Sequence, residues 1–411
     1  MKALRLLYVV REPYPSFRSD VVTLFGRYLP RLGIHSDYVA DRNLEADTVP
    51  SWGGGQHLLC DGAGPSLLRQ LRKAGHGIRA MIGASPSVYD AIQVRDMAIT
   101  AVVALIIGRL RSLPVFFWMS FPMCDAQIQR ALTKPRWSAE FWFPFLQGTI
   151  GRALLNGIVL THVDHVFAQS NHMRNRLLDA GVPAGSVTAV PMGVDMEVIA
   201  QFRNGAQRQA RQESTRVIVH LGVLDSGRGS EILVDVLALV REQWPEARLL
   251  CIGSCESAAF QAVLEERITS RGLEDAIQVT GWVSQPDAWR LAGEADVGLC
   301  LIPTGPLYDV AAPTKLVECL ALGLPMVVNE HPDQRQVIEE SGAGHVVAWS
   351  AKEIAAAVCS LLGDANSRNE MSARGPEYVA RYRSYEQISR TVADCYARML
   401  RRPDSLPVNS E

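Results

Sequence analysis

A chain of 411 residues, 48% hydrophobic and 20% charged with 32 glycines, has a globular composition and is too long for one ordinary core, which favours two α/β domains. Its formal net charge of −2 lacks the basic excess that nucleic acid calls for. The longest apolar stretch, Met97 to Ile107, is too short to span a bilayer and runs into Arg109 and Arg111, so it reads as a buried helix.

From the N-terminus, the basic start and brief apolar run end at Arg11-Glu12-Pro13. That is a first strand, Leu4 to Val10, rather than a signal peptide. A loop containing Pro13 and Pro15 follows, then an amphipathic helix from Asp20 to Leu32 with Val21, Leu24, Phe25, Tyr28 and Leu29 on one stripe. Further strands are expected at His35–Ala40, Ala80–Ile82, Ala91–Val94, Val115–Met119, His165–Ala168 and Val187–Val190. Helical segments between most of them imply a doubly wound sheet. The polar segment Gln201 to Thr215, with few apolar anchors, is the expected linker. A second alternation starts after it, with strands at Val217–Leu221, Arg248–Ile252, Ile277–Val279, Val297–Leu301, Met326–Val328 and His345–Val347. Helices Glu231–Glu242 and Lys315–Ala321 lie between these strands, and Pro403 to Glu411 reads as a frayed tail. Two such halves would face a cleft, with ligands beyond the carboxyl ends of the strands.

The eight cysteines sit in apolar runs such as Leu249-Leu250-Cys251-Ile252, as reduced thiols of a cytosolic protein would. Cys251 and Cys255 are four apart, but no second Cys/His pair follows at zinc spacing. No Asp-x-Asp pair is present to hold a divalent ion on a diphosphate, so neither a metal nor another cofactor is expected.

The strongest local signal runs from Pro313-Thr314-Lys315-Leu316-Val317-Glu318 to Gly323-Leu324-Pro325 and a strand. A helix beginning near Thr314 offers free amides and a positive dipole end to a diphosphate. Lys315 adds a charge, and Glu318, one turn on, suits two ribose hydroxyls. An isolated glutamate would read as a solvated helix residue; within this whole string it does not.

This string resembles the donor-site signature of the retaining glycosyltransferases of family 4, the group 1 proteins. Val190-Pro191-Met192-Gly193-Val194-Asp195 is similar to that family's "vPnGvD", and Asp164-His165-Val166-Phe167-Ala168-Gln169-Ser170 to its "aDxviaxS" strand. His220-Leu221-Gly222-Val223-Leu224 with Arg228-Gly229 resembles its "GRL…KG", Gly281-Trp282-Val283 its "GxV", and Tyr385 to Leu400 its closing helix. The matches cover about residues 80 to 400, in family order.

The resemblance implies an α/β GT-B fold of two Rossmann-like domains facing a central cleft. Residues 1–200 would form the acceptor-side domain, 201–384 the nucleotide-sugar domain, and 385–411 a helix and tail crossing back to the first. It implies Gly222, Arg228, Thr314, Lys315, Leu316 and Glu318 on the donor nucleotide, with no metal. The implied reaction takes a sugar, with retention, from a nucleotide-diphosphate donor to a saccharide or lipid-linked acceptor. The setting is the cytoplasm, with peripheral contact at the inner face of the cell membrane and no nucleic acid partner.

The chain departs from the family where Val310 replaces the first of two glutamates, leaving Asp309 as a shifted candidate. Val223 replaces the "GRL" arginine, and Ser120 or Phe121 stands near the place of the family's histidine. Arg95 and Asp96 end a strand, which suits either sugar hydroxyls or a salt-bridged strand end. The catalytic candidates are therefore Asp309, Arg95 and Ser120. Trp137 to Phe145 concentrates aromatics beside cations, read as core with an interfacial segment as the alternative. A catalytically impaired relative and a GT-B epimerase are the rival functions. An oxidoreductase is disfavoured, because Gly222, Gly227 and Gly229 do not make the dinucleotide fingerprint.

Overall fold

The computed structural model describes residues 3–43, 51–60, 66–203 and 216–400. Of the expected linker Gln201 to Thr215, residues 204–215 lie outside these residues, as does the tail from Pro403, while Gln201 and Phe202 belong to the short helical turn Ala200–Phe202. The chain divides into two units, Met1–Pro191 with Ile388–Glu411, and Met192–Gln387.

The first unit is built on a parallel sheet of β1 (Leu4–Val9), β2 (Ile34–Asp41), β3 (His57–Cys60), β4 (Ala91–Arg95), β5 (Val115–Met119), β6 (His165–Ala168) and β7 (Val187–Ala189). Their order is β3-β2-β1-β4-β5-β6-β7. Leu6, Leu7, Tyr8 and Val9 are all buried, because helices cover both faces and alternation gives way to a continuous apolar run. Sequence direction across the sheet reverses between β1 and β4, the switch point at which such sheets hold ligands. Aromatic rings fill one face: Trp118 meets Phe25 edge-on at 5.0 Å, and Phe116 and Phe167 lie 5.1 and 5.2 Å from Tyr396. Tyr396 belongs to the closing helix Tyr385–Met399, and its hydroxyl hydrogen-bonds the Gln93 side chain.

The second unit repeats the plan with β8 (Arg216–Leu221), β9 (Ala247–Ile252), β10 (Ile277–Val279), β11 (Val297–Cys300), β12 (Met326–Asn329) and β13 (Gly344–Val347), ordered β10-β9-β8-β11-β12-β13. The two-residue period of a strand sorts its core. Met326 and Val328 join Val219 and Leu221 on one face, and Val327 joins Ile218 and Leu249 on the other. All eight cysteines are free.

Three expectations change. Ala80–Ile82 is the end of the helix Ser66–Gly83, not a strand; an apolar triplet cannot reveal its period. A strand absent from the sequence reading, β3, borders the sheet at His57–Cys60, where its residues are only partly buried. The apolar stretch from Met97 forms the helix Ala98–Arg111, but Ile99, Ile106 and Leu110 are 53%, 56% and 79% exposed.

The aromatic segment also divides. In the helix Ala139–Leu154, Phe141, Gly148 and Gly151 are buried. Gly148 allows a close approach to the neighbouring helix, since a Cβ there would lie 2.7 Å from the Cys124 carbonyl oxygen. With that stripe turned inward, Trp142, Phe143, Leu146 and Ile150 remain 49–54% exposed, and Trp137 is 90% exposed. Core packing therefore accounts for Phe141 and not for Trp142.

Candidate functional site

In the second unit, the chain leaves β8 and β9 through two glycines whose backbones touch. Gly222 (φ 149°) donates to the Ile252 carbonyl at 3.0 Å, and a Cβ on Gly253 (φ 148°) would fall 2.1 Å from the Gly222 oxygen. Only glycine at 253 permits this turn pair. The approach brings the Gly222 and Gly253 backbones together just beyond the carboxyl end of β8.

Arg228 sits on a short helical turn, Ser226–Arg228, capped by Asp225. One Asp225 oxygen accepts from the Arg228 amide at 2.7 Å, and the other pairs with Arg228 Nε at 3.1 Å. Ser226 donates through both its amide and its hydroxyl to Glu256 Oε1, at 3.0 and 2.6 Å. The turn is thus tied down while the Arg228 side chain stays half exposed. Beneath it, burial pushes the His220 imidazole down to about 4, so it is neutral near pH 7.

The loop after β11 carries Asp309 and is pinned by polar side chains from β12 and the helix Pro332–Ser341. Asn329 imitates a strand neighbour, accepting from the Ile302 amide at 2.8 Å and donating to its carbonyl at 2.6 Å. Gln334 donates to the Cys300 carbonyl at 2.7 Å, and His331 Nε2 lies 2.9 Å from the Tyr308 carbonyl oxygen. Asp309 accepts from the Gly305 amide at 2.9 Å, while Val310 is buried.

The helix Thr314–Ala321 follows, and its N-cap residue, Pro313, makes no side-chain cap hydrogen bond. Thr314, Lys315 and Leu316 form its first turn; Leu316 is buried and holds the turn against the core. Glu318 is 2% exposed, yet its carboxylate is satisfied: Lys315 Nζ donates to Oε2 at 2.9 Å and Gln285 Nε2 to Oε1 at 3.0 Å. Each oxygen keeps lone-pair capacity for a further donor. Lys315 is therefore engaged with Glu318, a pairing that their three-residue helical spacing favours. Gln285, absent from the sequence reading, was marked only by a serine one residue before it, which caps the helix Gln285–Gly293.

Arg95 and Ser120 lie in the first unit, at the carboxyl ends of β4 and β5. Arg95 is wholly buried. Its guanidinium forks onto Asp20 at 2.6 and 3.3 Å, and its Nε lies 3.3 Å from Glu12 and 3.7 Å from Asp96. Of the two readings of this strand end, the salt-bridged one describes the arginine side chain. Asp96 adopts a left-handed backbone (φ 56°), which lets one oxygen accept from the Ser120 amide at 2.7 Å and the other from its hydroxyl. Burial pushes the Asp96 carboxyl up, opposed by Arg95 and by the Ser120 bonds. Arg95 and Ser120 thus meet through Asp96, while Asp309 and the six expected donor-site residues belong to the second unit.

Among the described residues no cluster of metal-ligating side chains occurs, and no helix is long and apolar enough to cross a membrane.

Residues 215–364 match the family model described as glycosyl transferases group 1. The amylovoran biosynthesis glycosyltransferase AmsK of Erwinia amylovora is 26% identical over 181 residues, 44% of this chain and 42% of that protein. The phosphatidyl-myo-inositol mannosyltransferase of Mycobacterium leprae is 27% identical over 197 residues, 47% of this chain and 49% of that one. The chain thus spans about half the length of these curated relatives or less. The structure of Anabaena Alr3699/HepE in complex with UDP and glucose superposes with a TM-score of 0.69 at 15% identity, over 96% of this chain and all of that one. Together with the two parallel sheets, this likeness gives the chain the GT-B fold.

Proposed function

We propose that this chain is a glycosyltransferase moving a sugar from a nucleoside diphosphate donor to a saccharide or lipid-linked saccharide. Transfer retains the anomeric configuration and serves the synthesis of a surface polysaccharide or glycoconjugate. The observation that carries this reading is Glu318, a buried carboxylate one turn into a helix whose N-cap residue, Pro313, makes no side-chain cap. Its unit also bears the Gly222–Gly253 turn pair and Arg228. The stretch matched by the family model includes all of these residues. AmsK is named for amylovoran biosynthesis, the Mycobacterium leprae relative for a phosphatidyl-myo-inositol acceptor, and HepE was crystallised with UDP and glucose.

In this reading Glu318 takes the ribose, and the Gly222 turn lets the diphosphate approach the backbone. Arg228, Lys315 and the amides of Thr314, Lys315 and Leu316 meet its charge. No metal is needed for that neutralisation, in keeping with the missing Asp-x-Asp pair. The bond from the sugar's anomeric carbon to the phosphate oxygen breaks. The bond to the acceptor oxygen forms on the same face, and the acceptor's proton passes to the leaving phosphate. Asp309 stands in for the glutamate that Val310 replaces, beside the transferred sugar. Arg95 and Ser120 act on the acceptor side through Asp96.

The direct test incubates the protein with a panel of nucleotide sugars and measures nucleoside diphosphate release, with and without cell lipid extract. Release that depends on the extract is expected. Tight nucleotide binding without turnover on any donor would favour the impaired relative, which Val223 and Val310 motivate.

With Val223 in place of a phosphate-binding arginine, Arg228 becomes the principal side-chain cation on the diphosphate. Arg228→Ala should weaken nucleoside diphosphate binding by roughly 1.5–3 kcal/mol, the range for hydrogen bonds to charged groups, and leave nucleoside binding nearly unchanged. Equal losses for both ligands in calorimetry would place Arg228 away from the phosphates.

The reading also includes peripheral contact with the inner face of the cell membrane. Its support is the exposed row Trp142, Phe143, Leu146 and Ile150, with Trp137 ahead of it and the exposed cations Lys134, Arg136 and Arg152 close in sequence. Aromatics and cations of this kind suit an anionic interface. Trp142→Ala should leave stability within about 0.5 kcal/mol, as for an ordinary surface site, and reduce co-sedimentation with anionic liposomes. A destabilised variant that still binds liposomes normally would defeat the membrane contact.

A further inference from the structure

The carboxylate of Glu318 is held at both oxygens, but by donors of different kinds. Lys315 supplies a charge, which is what a carboxylate that is 2% exposed needs. Gln285 supplies none, so it adds little to charge compensation. Its donor falls on the oxygen that Lys315 does not use. One donor per oxygen fixes the terminal torsion of the glutamate, which is otherwise broad and nearly two-fold.

Gln285 is itself placed with care. It opens the helix Gln285–Gly293 four residues after Gly281, whose φ is 72° and which follows the end of β10 by two residues. Ser284 caps that helix, with its hydroxyl donating to Asp287 Oδ2 at 2.6 Å. Gln285 is an exposed residue, and among the described residues its side chain bonds Glu318.

We infer that Gln285 is a positioning residue that turns the Glu318 carboxylate so that its remaining lone pairs face the two ribose hydroxyls of the donor. The inference rests on the proposed donor reading, with Glu318 as the ribose ligand. A glutamine that only ties two helices together would support stability and serve every ligand alike. One that orients the carboxylate governs discrimination between ribose and 2′-deoxyribose.

The experiment uses calorimetry on the full chain. Among UDP, GDP and ADP, the tightest ligand is compared with its 2′-deoxy counterpart. Wild type should prefer the ribonucleotide by about tenfold, the scale of one hydrogen bond to a charged group, and Glu318→Ala should abolish that preference. Gln285→Ala should bring it to within about twofold, with the ribonucleotide losing more affinity than the 2′-deoxy nucleotide and the melting temperature unchanged. Gln285→Glu keeps the shape but sets a carboxylate against Oε1. It should lose the preference at pH 8 and recover it as pH falls and the two carboxyls share a proton. If no nucleotide binds, or if Glu318→Ala keeps the preference, the donor reading fails. If Glu318→Ala loses the preference while both Gln285 variants keep it, the positioning role is overturned. It is equally overturned if the Gln285 variants melt early and weaken both nucleotides alike.

Discussion

Arg95→Leu should destabilise the first unit by about 3–5 kcal/mol, the usual cost of removing one member of a buried ion pair. The arginine is wholly buried, with Asp20, Glu12 and Asp96 around its guanidinium and all three carboxylates at least nine-tenths buried. Leucine fills part of the volume but leaves these charges unpaired, and each must then protonate or open a path to water. The loss should therefore shrink as pH is lowered, because acid neutralises the carboxylates that the variant strands. Urea unfolding followed on the first unit's transition at two pH values would measure both effects. A loss below 1 kcal/mol, or one that grows in acid, would show that the cluster does not depend on Arg95. The pair Arg228–Asp225 provides the contrast. Its arginine is half exposed, and breaking such a pair costs only about 0–1 kcal/mol. Any loss of transfer activity in Arg95→Leu has to be measured at equal folded fraction, since this side chain supports the strand end on which Ser120 and Asp96 meet.

That contrast also marks what a sequence can and cannot display. Runs such as Leu4 to Val9 announce strands covered on both faces, and two α/β alternations around a polar stretch announce two sheets. These signals are local, so they survive in a single sequence. The helix Thr314–Ala321 was legible for the same reason, since proline, the apolar run and Gly323 punctuate it. The partners of Arg95 were not. Asp20 is 75 residues away, and nothing local in the sequence pairs one charge with another across a sheet. Gln285 escaped similarly, because its function comes from a bond to a residue 33 positions on. Ala80–Ile82 misled because three apolar residues fit a strand and a helix end equally. In the aromatic segment, the stripe that turns inward is chosen by Gly148 and its neighbour helix, which composition does not reveal.

Glu318→Ala should weaken nucleotide binding by about 1.5–3 kcal/mol, the range for hydrogen bonds to a charged group. Two consequences of the substitution have to be separated. The first is loss of the acceptor for ribose hydroxyls, which lowers affinity for nucleosides and nucleotides but not for inorganic pyrophosphate. The second is release of Lys315, whose ammonium now pairs with the lost carboxylate at 2.9 Å. Freed, and on the first turn of the helix, it has one more charge to offer a phosphate, so pyrophosphate affinity should hold or rise slightly. Stability should fall little. The alanine leaves a small void, but a buried charge that Lys315 and Gln285 had to satisfy disappears with it, and both partners reach solvent. Replacing a buried ionised group with an apolar one is often close to neutral when its partners can rehydrate. The expected pattern is therefore weakened nucleoside and nucleotide binding, pyrophosphate binding retained and a melting temperature close to wild type. Calorimetry with all three ligands distinguishes it from a general collapse of the site, in which pyrophosphate binding would be lost as well. Unchanged affinity for the nucleotide in a folded variant would remove Glu318 from the donor site, and with it the observation on which the glycosyltransferase reading rests.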